Sequence, residues 1–199
     1  MMDKIVVNYL KKNLVLNKDQ EQIVTFAVQL IVSTISSIGA IVLVAVALGN
    51  LQETMIVLAA AAAMRLAAGG VHCNTALRCS LAGAVIFPSL GLIPQYYQAA
   101  SYWVLLVLFI ASFISIAKYA PAEATGKPLT NPKYIKKMYR ISLFLAVLIA
   151  TLALFLFPTK SNVSTGLITG LAWQAFTITP LGYKLISGLD KIIYLVIRR

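Results

Sequence analysis

The chain consists mainly of long apolar stretches that are separated by short polar connections. Six stretches approach or exceed the roughly 20 residues that a helix needs to cross a bilayer. They are residues 23–48, 54–70, the two halves of 79–117, 141–159 and 161–183. Pro94, with Tyr96 and Tyr97, predicts a turn at the headgroup level that divides the longest stretch in two. The pattern predicts an all-α, polytopic integral membrane protein with about six transmembrane helices in a single domain, residues 1–199.

The composition excludes an ordinary soluble domain. Only 12% of the residues are charged and 60% are hydrophobic, whereas globular chains have about 25% charged residues. The formal net charge of +11 would favour nucleic-acid binding in a soluble protein. Here the positive charges lie at helix ends, where membrane orientation explains them better. We therefore expect a lipid bilayer, and no nucleic acid, as a partner.

Positively charged residues accumulate in alternate connections, as they do on the cytoplasmic side of membrane proteins. They are Lys4, Lys11, Lys12 and Lys18; Lys118, Lys127, Lys133, Lys136, Lys137 and Arg140; and Lys184, Lys191, Arg198 and Arg199. With six spans, this distribution predicts that both termini are cytoplasmic. It also places residues 65–79 and the basic loop, residues 118–140, on that side of the cell membrane.

The N-terminal segment, residues 1–20, has the spacing of an amphipathic helix that lies in the membrane interface. Between Lys4 and Lys18, apolar residues recur at helical spacing on one side, and lysines occupy the other. One interpretation is a positively charged anchor on the cytoplasmic side. The other is a cradle for an amphipathic substrate helix.

The stretch from Arg65 to Cys79 contains the only histidine and both cysteines of the chain. Ionisable groups among membrane spans are costly, so their clustering indicates a functional site. His72 and Cys79 are the residue types of a general base and a thiol nucleophile. On one continuous helix they would lie about 10 Å apart along the axis, too far for proton transfer. Gly69-Gly70 predicts a break in the helix, and Asn74 or Thr75 predicts the cap of a new one, with Cys79 about one turn inside it.

Several alternatives remain at this stretch. Cys73 is a rival nucleophile, although adjacent side chains diverge and it is poorly placed to pair with His72. One histidine and two cysteines give at most three zinc ligands, so we expect no metal and no cofactor. Arg65 and Arg78 either activate the thiol or hold a substrate carboxylate, or they are boundary residues that reach for the interface. The sequence names no acidic group that would orient the imidazole.

The arrangement Arg65, Gly69-Gly70-Val71-His72 and Cys79 in a polytopic protein of this length resembles the bacterial accessory gene regulator B family. The likeness extends to Ala120-Pro121 and Gly126-Lys127-Pro128, and to Trp173-Gln174 followed by Thr179-Pro180, and so covers nearly the whole chain. The resemblance implies that His72 is the base and Cys79 the nucleophile. It implies that Arg65 and Gly70, together with Gly69 and Lys127, support the site or bind the substrate. A homodimer is also a family expectation.

The resemblance further implies a membrane cysteine endopeptidase of quorum-sensing peptide biosynthesis. Its substrate would be a short precursor peptide with an amphipathic leader, a central signal sequence and an acidic tail. Cys79 would release the tail and form a thioester, and a Cys or Ser of the precursor would then close a thiolactone or lactone ring. The main alternative is a small transporter or channel. The spans show neither paired broken helices nor a series of intramembrane acids that would favour it. A non-catalytic scaffold would leave the His72–Cys79 cluster unexplained.

Overall fold

The computed structural model describes residues 18–97, 101–123 and 131–198. Within these ranges the chain forms helices and no strand, which confirms the all-α prediction. The helices are α1 Lys18–Leu48, α2 Leu51–Ala68, α3 Ala76–Tyr96, α4 Tyr102–Tyr119, α5 Pro132–Leu156, α6 Ser161–Thr177 and α7 Pro180–Ile197. Residues 1–17, which make up nearly all of the expected interfacial helix, and Lys127 lie outside the described residues.

Five of the described helices are long and apolar enough to span a membrane: α2 to α5 and the Ile31–Leu48 part of α1. The predicted turn after α3 is present, although the helix continues through Pro94 and ends at Tyr96. The sixth apolar stretch is interrupted, so the expected count of six is only approximate. Its helix α6 stops at Thr177, because the side chain of Thr179 caps α7 by accepting a hydrogen bond from the Gly182 N–H. Pro180 occupies the first turn of α7, where a backbone N–H would have no acceptor within the helix and its absence costs no hydrogen bond.

Helix α6 lies at the centre of the bundle and packs against α2, α3, α4, α5 and α7. Its side chains Ile168, Leu171 and Ala175 are part of the buried core. Small residues let α2 and α6 approach closely, since a Cβ added at Gly170 would lie 2.4 Å from the Val57 carbonyl oxygen. Large apolar side chains on the outer surfaces of α1, α4 and α5 are exposed, as suits contact with lipid. Examples are Leu43, Trp103, Phe144 and Phe155.

The connections lie at two ends of the bundle. At one end, Gln95 Nε2 donates a hydrogen bond to the Gly49 carbonyl at 3.4 Å. There the rings of Tyr102 and Phe157 also lie 4.2 Å apart. The other end contains residues 69–75, 120–123 and 177–183, and we call it the site end. Helix α7 runs across the site end, because its residues Tyr183 and Asp190 both contact segments there.

Candidate active site

The break between α2 and α3 requires glycine at its first position. Gly69 caps α2 with φ +68°, and Gly70 follows with φ +130°, both in the region that disfavours side chains. A Cβ at Gly69 would also lie 2.2 Å from the Ala122 carbonyl oxygen. At Gly70 the nearest atom would be 3.3 Å from a Cβ. The predicted break at Gly69-Gly70 is therefore confirmed, and Gly69 is the more constrained of the two residues.

Two groups from other segments, and one from the last turn of α2, hold this break in place. The Ala122 N–H donates to the Ala68 carbonyl at 2.8 Å, and the buried Gln174 Nε2 donates to the Gly69 carbonyl at 2.7 Å. The guanidinium of Arg65 reaches across the break and donates to the carbonyl of Val71. Arg65 is thus engaged with the backbone that leads to His72.

The start of α3 follows the sequence prediction closely. Thr75 is the N-cap, and its hydroxyl accepts a hydrogen bond from the Arg78 N–H at 3.3 Å. The Cys79 N–H donates to the Thr75 carbonyl at 3.0 Å. Cys79 therefore lies one turn inside the helix, and residues 69–75 are free to fold back towards it.

This fold-back brings His72 and Cys79 together. The side chains of His72 and Cys73, and the backbone of Cys73, lie close enough to the sulfur of Cys79 to interact with it. His72 is exposed and both thiols are half-buried, with no disulfide between them. A reachable imidazole in contact with a thiol is the arrangement that proton transfer to a base requires.

Cys73 and Cys79 occupy different electrostatic surroundings. The pKa of the Cys73 thiol is raised, first by its hydrogen bond to Cys79, then by burial and by the negative charges of Cys79 and Asp190. The nearby guanidinium of Arg78 opposes this shift only in part. Because a thiol with a raised pKa stays protonated and reacts slowly, Cys73 is suited to donate a hydrogen bond to Cys79 rather than to attack a peptide.

Asp190 is a site-end residue that sequence reasoning missed. Its carboxylate accepts hydrogen bonds from the backbone N–H and the side chain of Asn74, at 3.2 and 2.7 Å. It also forms an ion pair with Arg78 at 2.8 Å. Arg78 is therefore already paired with a carboxylate of the protein itself, a partner that none of the three sequence-based interpretations included. The local sequence gave no signal of Asp190, which lies 116 residues after Asn74.

The basic loop leaves α4 directly beside the break. Ala122 pairs with Gly69 in a single parallel bridge. The Tyr183 hydroxyl donates to the Glu123 carbonyl at 2.5 Å. Lys127 follows in the part of the loop outside the described residues, whereas Lys133, Lys136, Lys137 and Arg140 are exposed on the first turns of α5. No cluster of three metal-ligating side chains occurs within the described ranges.

Comparisons with known proteins agree with the sequence resemblance. A family model described as Accessory gene regulator B matches residues 3–178. An AgrB-like protein of Clostridium perfringens SM101 is 21% identical over 96% of this chain and 95% of its own length. A second, from C. perfringens strain 13, is 24% identical with the same coverage. The accessory gene regulator protein B of Staphylococcus intermedius is 31% identical over 59% of this chain and 60% of its own. No solved structure matches.

Proposed function

Because the chain belongs to the accessory gene regulator B family, which acts in quorum sensing, we propose that it is a membrane cysteine endopeptidase. Its substrate is a short precursor peptide, from which it removes the C-terminal tail. The observation that carries this proposal is the contact between His72 and the sulfur of Cys79. That contact depends on the break at Gly69-Gly70, without which the two residues would lie about 10 Å apart along the axis of one helix.

In the first step, His72 accepts the proton of the Cys79 thiol as the sulfur attacks the carbonyl carbon at the end of the signal sequence. The carbon–nitrogen bond then breaks, and the imidazolium of His72 gives its proton to the departing amine of the tail. The product is a thioester between Cys79 and the rest of the precursor. The Cys73 thiol and the Cys73 backbone both contact the attacking sulfur, and so help to hold it in place.

In the second step, a thiol or hydroxyl within the precursor attacks the thioester carbonyl. Its proton passes by way of His72 to the departing sulfur of Cys79, and a thiolactone or lactone ring closes. A thioester is a more activated acyl group than the peptide bond that was broken, so its carbonyl needs no further activation for ring closure. The cycle therefore needs neither ATP nor a cofactor, and it returns His72 and Cys79 to their starting states.

The acidic tail of the precursor is expected to bind near the basic loop, residues 118–140. Support comes from the path of the chain, since Glu123 adjoins the site and four basic side chains are exposed on α5. Each exposed ion pair contributes only about 0–1 kcal/mol, so the effect is collective. Changing Lys133, Lys136 and Lys137 together to Gln should raise KM without lowering kcat. An unchanged KM would indicate that the basic residues of the loop only set the orientation of the chain in the membrane and do not bind the tail.

The proposed function is tested with the protein in nanodiscs and the peptide encoded by a neighbouring short open reading frame. The wild type should release the acidic tail and form an adduct on Cys79 that hydroxylamine removes, as a thioester requires. Cys79→Ala should form neither the tail nor the adduct. The matched control is Cys73→Ala, which removes the other thiol and should still cleave. Full cleavage by Cys79→Ala, or an adduct on Cys73, would contradict the proposal.

A further inference from the structure

Asp190 is a buried carboxylate in the middle of α7. Its side chain is 4% exposed, and that of its partner Arg78 is 15% exposed. A carboxylate removed from water is costly unless charge and hydrogen bonds compensate it. Among the residues that the structure describes, the compensation at Asp190 comes from the catalytic stretch: two hydrogen bonds from Asn74 and an ion pair with Arg78.

The two partners of Asp190 lie at the two ends of the segment that joins base and nucleophile. Asn74 follows His72 by two residues, and Arg78 directly precedes Cys79. The guanidinium of Arg78 is further fixed by the Thr75 hydroxyl at 3.0 Å and by the ring of Tyr194, whose centroid lies 5.4 Å away. One carboxylate from α7 therefore contacts both halves of the segment on which the His72–Cys79 distance depends.

The distance between His72 and Cys79 depends on contacts with residues outside the segment that joins them. Ala122, Gln174 and Arg65 hold the backbone as far as Val71. Residues 72–75, which follow, belong to no helix. A displacement of about 1 Å between reacting groups costs on the order of 100-fold in rate. The contacts of Asp190 with Asn74 oppose such a displacement on the histidine side, while the ion pair with Arg78 does so on the cysteine side.

We propose that Asp190 is a positioning residue, which holds His72 and Cys79 at reacting distance through Asn74 and Arg78. This inference rests on the proposed peptidase function. It differs from a simpler role in which Asp190 only neutralises the charge of Arg78. The simpler role predicts that removing both charges together restores activity. Positioning predicts that stability returns and catalysis does not, since the amide of Asp190→Asn keeps one acceptor oxygen and loses one of the two hydrogen bonds from Asn74.

The experiment uses the full chain in nanodiscs and four variants: Asp190→Asn, Asn74→Ala, Asp190→Asn with Arg78→Gln, and Lys191→Gln. Lys191 is the matched control, because it is the next residue of α7 and its side chain is exposed. Four quantities are measured: the melting temperature, kcat for the precursor, KM for the precursor, and the rate at which iodoacetamide alkylates Cys79, which is followed by peptide mass mapping. None of the variants replaces Arg65, His72 or Cys73, which lie near Cys79 in the wild type.

We expect Asp190→Asn to lower kcat about tenfold or more with little change in KM, and to slow alkylation of Cys79. The double variant should recover the wild-type melting temperature but keep the low kcat and slow alkylation. Asn74→Ala leaves the ion pair intact and removes an exposed side chain, so it should fold and show a smaller loss of both rates. Lys191→Gln should match the wild type.

Wild-type kcat in the double variant would overturn the proposal, as would unchanged alkylation of Cys79 in Asp190→Asn and Asn74→Ala. The alkylation rate does not depend on the precursor. If the wild type fails to cleave the precursor while the variants still slow alkylation, the peptidase function fails and the positioning of Cys79 by Asp190 stands.

Discussion

At the scale of single residues, the two thiols at the site end are expected to differ in reactivity. The pKa of Cys73 is raised chiefly by its hydrogen bond to Cys79, and burial adds to the shift. A raised pKa lowers the thiolate fraction at any given pH, so Cys73 needs a more alkaline solution than a free thiol does to react. The raised pKa of Cys73 is thus set chiefly by its contact with Cys79 and not by the residues next to it in the sequence.

The corresponding prediction is that Cys79→Ala makes Cys73 more reactive. The substitution removes the largest cause of the raised pKa, which should then fall towards its ordinary value. Alkylation of Cys73 by iodoacetamide at pH 8 should therefore be faster in Cys79→Ala than in the wild type, with Ser80→Ala as a control beyond the thiol pair. An equal or slower rate at Cys73 would show that burial and the charge of Asp190, and not Cys79, raise its pKa.

At the scale of elements, the break between α2 and α3 should tolerate no side chain at Gly69 without a loss of stability. Gly69→Ala forces a side chain into a positive-φ conformation and against the Ala122 carbonyl, which should cost about 1–3 kcal/mol of unfolding free energy. Cleavage should fall with it, because the backbone that leads to His72 must shift. The unfolding free energy is measured by SDS titration in mixed micelles.

Gly188→Ala provides the matched control for this substitution. Gly188 lies within α7, and a Cβ there would meet nothing within 4 Å. Alanine at this position should leave stability unchanged or raise it by about 0.5–1 kcal/mol, since alanine is the better helix former. If Gly69→Ala is as stable as Gly188→Ala, the close approach of Ala122 does not constrain the break.

The sequence predicts elements well where the signal is local and poorly where it is not. Gly69-Gly70 and the Thr75 cap are short-range features, and both appear where expected. The end of α6 was missed because Thr179-Pro180 lies inside an uncharged run, and hydropathy does not register a helix cap. Gln174 contacts Gly69 across 105 residues. Its partner is set by how α6 packs against α2, which no local pattern encodes.

At the scale of the whole molecule, the separation of connections between two ends leads to a prediction about orientation. The site end should face the cytoplasm, since the lysine-rich connections gather there. In a background with Cys73→Ser and Cys79→Ser, a membrane-impermeant maleimide should label Thr159→Cys in intact cells. It should label Lys191→Cys only after the membrane is opened. Both positions are exposed, so accessibility of the side chain is matched, and labelling of Lys191→Cys in intact cells would contradict this topology.

The contacts of Gln174 and Asp190 with the catalytic stretch also have a consequence for timing during synthesis. Both residues follow Cys79 by far in the chain, and chains elongate at about 5–20 residues per second. His72 and Cys79 therefore emerge from the ribosome roughly ten seconds before Asp190 exists to hold them. A nascent chain is accordingly expected to be inert towards precursor peptide until α6 and α7 are complete, so that activity begins only in a finished molecule.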